Sequence, residues 1–401
     1  MCANPAVLKK KSSLAEMLVV TKLPLLLSLL RVAAGPCSTD DNCSLNGVCT
    51  AGVCACHTVW RGPSCATLAV GPATPPLAAA YGLAPNVSSW GGNAVVDDAG
   101  TFHLFVAEMM LGCGLDSWSH NSRIAHATGP TAAGPFTRAD TALWHFAHNP
   151  QVFRQDGAWY IAHVGAADNG SSLTNCSGHH PPGSQVAAVP RYARSSAYYI
   201  HTAPTPNGPW MPVNGTQTDL AHACDNPSPL ILRNGSLLMA CGKSSRWSIW
   251  TAPEPSGPWT ELAGLGRPTP FGNNTGMEDP MIWQDHHGHF HMLAHAFTQE
   301  SWPSQMVSAH AYSRDARHWT WATVHPYSWV VQMSDGSQVP FATMERPKLA
   351  FGADGVPTHL YNGASPQWPC AGCGRDAVCV ACKGTRGRDY TLTIVRPLVS
   401  M

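Results

Sequence analysis

The sequence predicts an all-β protein: a five-bladed β-propeller with a small disulfide-rich module at its amino end. Three observations predict it. A short phrase recurs as His148-Asn149-Pro150, Asp225-Asn226-Pro227, Glu278-Asp279-Pro280 and Glu345-Arg346-Pro347, each followed by an apolar run, a glycine turn and a second apolar run. The turn glycines, Gly157, Gly235, Gly288 and Gly355, come seven or eight residues after the proline, and a copy without proline, Trp90-Gly91-Gly92-Asn93, turns at Gly100. A second phrase alternates with the first: Ile124-Ala125-His126-Ala127 before Gly134-Pro135-Phe136, Ile200-His201-Thr202-Ala203 before Gly208-Pro209-Trp210, and Ile249-Trp250-Thr251-Ala252 before Gly257-Pro258-Trp259. Finally, 12% charged residues with 36 Gly, 34 Pro and 15 Trp suit strands and long loops, and suit helices poorly. A repeated strand unit cannot cover both its faces alone, and closing five units into a ring covers them.

Residues 1–34 read as a secretory signal. Lys9-Lys10-Lys11 supplies the positive start, Leu25-Leu26-Leu27-Ser28-Leu29-Leu30 the apolar core, and Val32-Ala33-Ala34 the small residues for cleavage. Lys22 interrupts the apolar stretch, which argues against a spanning helix. A secreted, extracellular protein is expected, with an uncleaved membrane-tethering signal anchor as the alternative. Fifteen cysteines fit that compartment, as do glycosylation triplets at Asn42, Asn86, Asn169, Asn175, Asn214, Asn234 and Asn273.

Residues 35–66 hold Cys37, Cys43, Cys49, Cys54, Cys56 and Cys65. Counting alone leaves the pairing open. The Cys54-Ala55-Cys56 step and Gly62 ahead of Cys65 resemble an epidermal-growth-factor-like (EGF-like) domain. That resemblance implies the pairs 37–49, 43–54 and 56–65, and a spacer or protein-contact role outside the cell. Residues 67–85, rich in Ala, Pro and Gly, read as a linker; a strand near 66–70 that helps close the ring is the alternative.

Residues 86–401 hold the array. The recurring phrase gives the innermost strand of each blade, and the second phrase gives the third strand, a Gly-Pro turn and the outer strand. Segment 390–395 would finish the last blade. Trp210, Trp259 and Trp319 are expected between blades. Cys224 with Cys241, and Cys113 with Cys176, are candidate disulfides, and Cys370, Cys373, Cys379 and Cys382 read as two local ones rather than a zinc site.

Innermost strands of a propeller start at one end of the axis, so the phrase residues should meet there. Carboxylates gathered at such a mouth are costly unless solvated, bonded or used, and two facing carboxylates are the equipment for cleaving a glycosidic bond. The proline-marked strands, the Gly-Pro-Trp turns and the phrases Glu-Asp-Pro and Glu-Arg-Pro resemble the five-bladed glycoside hydrolases of family 43, with levansucrases and invertases as relatives. The resemblance implies a base Asp directly before a proline and an acid Glu two before one. Gly91-Gly92-Asn93 stands where the family's first-blade Asp is found. Asp279 and Glu345 match those two positions on later blades, as if the ring's starting point had moved. Asp279 is therefore expected as base or nucleophile and Glu345 as acid, with Glu278, Asp225 or Glu108 tuning them. Trp90, Asn93, His148, Asn149, Asp225, Asn226, His295, His310 and Arg346 are expected to bind the carbohydrate. A glycan-binding, non-catalytic propeller is the alternative. No cofactor is expected. His289, His291 and His295 share a strand face, but pore-lining histidines explain them better than zinc; a structural cation on the axis is the alternative. Lys plus Arg equals Asp plus Glu at 24 each, and no basic aromatic face, phosphate loop or Gly-x-Ser-x-Gly elbow occurs, so nucleic acid is not an expected partner.

Overall fold

The computed structural model describes residues 37–74, 79–82, 84, 87–167, 198–213, 224, 226–243, 246–272, 275–298, 308–366 and 391–400. The signal segment, Asp225, Cys176, the cysteines at 370–382 and most of the glycosylation triplets lie outside them.

Five antiparallel sheets follow one another along the chain. Blade one is Ser89–Val96, Phe102–Met109, Ser122–Gly129 and Thr137–Leu143. Blade two is His148–Gln155, Ala158–Val164, Tyr198–Ala203 and Met211–Pro212. Blade three is Ser228–Ile231, Leu237–Lys243, Arg246–Ala252 and Thr260–Gly266. Blade four is Thr275–Gln284, Phe290–Thr298, Ala309–Ser313 and Thr320–Trp321. Blade five adds a short hairpin strand, Val330–Gln332, to Gln338–Phe351, Pro357–Pro366 and Leu392–Pro397. Its outermost strand comes from the other end of the propeller: Ala79–Tyr81 pairs with Leu392–Pro397. Segment 390–395 is thus followed outward by one more strand, and the ring closes through residues first read as linker. Helical pieces among the described residues are single turns, such as Trp118–Asn121.

The inner strands are stitched by the residue that follows the phrase. Asn93 donates its amide to the Val152 carbonyl at 3.0 Å and accepts the Val152 N–H at 2.9 Å. Gln151 donates to the carbonyl of Pro229 at 3.1 Å, since that residue has no N–H to give. Ser228 Oγ accepts the Ile282 N–H at 3.0 Å, and Met281 Sδ accepts the Leu349 N–H. Each stitch joins one blade to the next, and each satisfies or replaces a backbone group that the ladder leaves open. The expected seam aromatics are present. Trp210 meets Phe105 of blade one edge-on at 5.5 Å, Trp259 is buried between blades two and three, and Trp319 packs on the core of blades three and four.

The amino-terminal module has the expected disulfides, Cys37–Cys49, Cys43–Cys54 and Cys56–Cys65, and Cys224–Cys241 is formed in the propeller. The module is not a detached spacer. Cys43, Val59, Trp60, Cys65 and Leu68 belong to one buried core with Met281, Trp283 and Leu293 of blade four and Phe341, Met344 and Leu349 of blade five. Leu68 N–H donates to the Pro326 carbonyl at 2.8 Å, and Ala73 N–H to the Gln332 carbonyl at 2.8 Å. Arg314 pairs with Asp41 at 3.0 Å. The module wedges against the seam between blades four and five, and each large side chain it buries there contributes about 1.5–3 kcal/mol.

The C56S/C65S double variant is expected to lower the unfolding free energy of the whole propeller by about 2–5 kcal/mol, as one shifted cooperative transition in urea. A separate module transition beside an unchanged propeller transition would show that the wedge contributes nothing to the ring.

Candidate active site

The phrase is a bulge with a fixed backbone. In each copy the middle residue has positive φ: Gly91 at 68°, Asn149 at 55°, Asn226 at 52°, Asp279 at 56° and Arg346 at 53°. The inner-strand register slips across this point between Ser89 and Gly92, His148 and Gln151, Glu278 and Met281, and Glu345 and Lys348. Proline suits the position after it, because the bulge leaves no ladder partner for an N–H. Gly, Asn and Asp tolerate the left-handed region, whereas Arg346 holds it at a cost of about 1–3 kcal/mol.

The bulge turns the middle residues toward one another. Asn149 Nδ2 donates to Asn226 Oδ1 at 2.6 Å, and Arg346 Nη1 lies 3.6 Å from Asp279 Oδ1. Gly91 makes room for Arg346, since a Cβ there would sit 2.8 Å from the arginine Cβ. These residues plug the axis.

At the plug, ligating atoms of Glu278, Asp279, His295 and Glu345 all lie within 4.8 Å of one another. Glu278 and Glu345 come from the first position of the phrase in blades four and five. His295 comes from the second strand of blade four, where it pairs in register with Glu278. Its Nδ1 is 3.6 Å from Glu278 Oε1 and 3.7 Å from Glu345 Oε2. Thr343 Oγ1 donates to the other Glu345 oxygen at 3.1 Å. Exposure separates the acids: the side chains of Glu278, Glu345 and Asp279 are 31%, 11% and 1% exposed.

Burial pushes the Asp279 carboxyl up to about 6, against the pull of Arg346 and with a further push from Glu278 and Glu345. Burial opposes a charge on His295, yet the carboxylates of Glu345, Glu278 and Asp279 outweigh it and raise its pKa. Burial lowers Lys348 to about 7, with Asp279 pulling the other way. Lys348 Nζ donates to Gln151 Oε1 at 2.9 Å and to the Pro280 carbonyl at 3.2 Å, so it reaches across the axis from blade five to blade two.

The structure therefore brings together Glu278, Asp279, Glu345, His295 and Arg346 of the expected residues. Others go elsewhere. Glu108 accepts hydrogen bonds from Tyr81 and from Arg123 Nε at 2.7 Å, with Arg138 at 3.4 Å; it belongs to the seam of blades one and five and does not tune the cluster. Asn93 is consumed by its stitch to Val152, and Trp90 is buried against Gly363. Neither is free to hold a sugar. His148 Nδ1 is hydrogen-bonded to Ser122 Oγ at 2.7 Å, and the ring lies against Trp118. Asn149 and Asn226 bond each other. His310 is 3.2 Å from His291, whose other nitrogen is 3.4 Å from Asp285, and His289 lies beside the same Asp285. Only His295 of the strand-face histidines reaches the site. The same Asp–His–His chain occurs in blade one as Asp97, His103 and His126, which marks it as a blade feature.

Three participants were not singled out in the sequence. Lys348 sits alone in the apolar run Lys348-Leu349-Ala350-Phe351, and that isolation was its signal. Asn362 donates to the Glu345 carbonyl at 3.2 Å and to the Tyr327 hydroxyl at 3.1 Å. Neither Asn362 nor Tyr327 carries a spacing that betrays it.

Residues 39–67 match the sequence model of a teneurin-like EGF domain. No curated protein matches the sequence. Among solved structures, a thermostable family-43 glycoside hydrolase is similar at 11% identity and TM-score 0.50, over 81% of this chain and 92% of its own. An endo-arabinase from Bacteroides thetaiotaomicron gives 12% and 0.48, over 78% and 94%. An exo-β-1,3-galactanase from Phanerochaete chrysosporium gives 12% and 0.47, over 77% of this chain and 60% of its own. The chain thus has the five-bladed fold of such hydrolases, behind an EGF-like module.

Asp279 sets a pH signature. Its folded-state pKa of about 6 stands above the ordinary carboxylate value, so the native state keeps a proton that the unfolded chain releases. Stability conferred by this group is present at low pH and is lost as pH rises through about 4 to 6. Relative to D279N, the wild type should lose up to about 3 kcal/mol across that window and none above it. Denaturant unfolding of both proteins from pH 4 to 7.5 measures this, and a flat difference would mean that Asp279 titrates normally.

Proposed function

We propose that the chain is a secreted carbohydrate-active enzyme that hydrolyses or transfers a glycosidic bond at the axis of the propeller. The observation that carries this reading is the convergence of three carboxylates and an imidazole from two blades at one end of that axis. Burial supports dividing the roles by exposure. Glu345 and Glu278 have access to a bound sugar and take the acid and nucleophile or base roles. Asp279 lies in the plug beneath them, so its role changes from base to positioning: its charge, varying around pH 6, sets the field in which the other two gain and lose protons. Arg346 and Lys348 balance the acids from below. His295 lies between the Glu278 and Glu345 carboxylates, 3.6 and 3.7 Å from them, and pairs with both electrostatically. Ligating atoms of Glu278 and Glu345 within 4.8 Å of each other bring the two carboxyls close enough to act on one bond. The four disulfides seen fit an oxidising compartment, which supports secretion.

A second reading has its own observation. Three carboxylates and a histidine at this spacing also suit a divalent cation, which oxygen-rich sets of this kind hold.

On a panel of neutral and acidic polysaccharides, the wild type should release reducing ends. E345Q and E278Q should each lose about 10²–10⁴-fold in kcat with an unchanged melting transition, while D279N should shift the pH profile more than the maximum. Glycan binding without turnover by the wild type would favour a lectin-like propeller instead. Stoichiometric metal in purified wild type that is lost in E345Q would favour the cation.

A further inference from the structure

We infer that the cleft between the EGF-like module and blade five is a second binding site, for a saccharide that carries a carboxylate or sulfate group. The cleft encloses about 330 Å³, enough for a sugar ring or two, and is lined by Arg61, Thr67, His325, Trp329, Gln332 and Arg396 among others. Arg396 is the anomaly. It is 2% exposed and sits at the end of the apolar run Leu392-Thr393-Ile394-Val395. Its Nη2 donates to Asn362 Oδ1 at 3.0 Å, its Nη1 to the Ser328 carbonyl at 3.5 Å, and its guanidinium lies over the Tyr327 ring at 5.5 Å. Its Nε has no hydrogen-bond partner. No carboxylate pairs with it among the described residues. A buried guanidinium without a counter-charge is costly, and an anionic group held in the cleft that Arg396 lines offsets that cost. Burial lowers its pKa only to about 10, so the charge persists at neutral pH.

The opposite wall repeats the sign. Arg61 comes from the module, is exposed, and makes no ion pair among the described residues. Two cations, one from each side, therefore face a cavity with no acidic residue in its lining. Half-buried Trp329 offers an apolar face on which a sugar ring stacks, while Thr67 offers a hydroxyl for the ring's own. A bare anion would need neither. The acid-rich axial cluster repels the same ligand, so the two sites select opposite chemistry. Asn362 links them, because the amide that accepts from Arg396 also donates to the Glu345 carbonyl. The inference does not depend on catalysis at Glu345.

Titration calorimetry on the full chain tests it with glucuronic acid, galactose 6-sulfate, galactose and inorganic sulfate. Both acidic sugars should bind and galactose should not. Exposed R61Q, which leaves the core intact, should weaken binding about tenfold or more, W329A should weaken it too, and E345Q should leave it unchanged. Heat only from inorganic sulfate would overturn the saccharide assignment. Acidic-sugar binding that is lost in E345Q and kept in R61Q would overturn the location. No binding by either acidic sugar would overturn the inference outright.

Discussion

The ring depends on the residue that follows the bulge. Asn93, Gln151, Ser228 and Met281 each engage the next inner strand at the second residue beyond its own phrase. The chemistry of each is set by what that neighbour offers. Val152 has both a carbonyl and an N–H, so an amide side chain serves both. Pro229 has only a carbonyl, so Gln151 must donate. Ile282 and Leu349 present N–H groups, so a hydroxyl and a thioether accept. With the inner strands held in this register, the left-handed residues have one place to go, which is the axis.

Blade five departs from the pattern, and it supplies part of the acid cluster. Its equivalent residue is Lys348, which reaches back to the Pro280 carbonyl and across to Gln151. The left-handed position there is Arg346 rather than Gly, Asn or Asp. Two cations thus stand beside the acids of blades four and five and offset part of their mutual repulsion. The strain in Arg346 and the buried Lys348 are costs that blades one to three do not bear. Local exceptions of this kind are where a repeat is expected to carry its function.

Most of the fold was legible because it repeats. A phrase seen five times at an interval of seven or eight residues fixes strand and turn without recourse to any single weak preference. Trp210, Trp259 and Trp319 were legible for the same reason. What failed to show was anything that depends on which way a side chain leaves a bulge. His148 occupies the phrase position of Glu278 and Glu345, yet Ser122 claims it, and Asn93, one place past its phrase, is claimed by the stitch. Glu108 looked like a third acid because sequence cannot tell a strand's axial end from its seam; Tyr81, which captures it, arrives from the far end of the propeller. Asn362 and Arg396 were invisible because their importance lies in what they bury. The packing of the module was missed as well, since a cysteine pattern reports bridges and says nothing of the apolar face that Val59, Trp60 and Leu68 turn outward from them.

That face explains why the module stands where it does. A domain held by three disulfides has little core of its own, so its large side chains gain more by completing another core than by folding over themselves. The seam of blades four and five is where they do so. It carries the axial acids, Arg346 and Lys348 near its inner edge, beside the apolar core that the module completes. Trp60 and Leu68 restore apolar area from outside, and Met281, which accepts the Leu349 N–H on the inside, belongs to the same core. The disulfides thus act on the axis at one remove: they hold rigid the wedge that lets a charged seam stay closed.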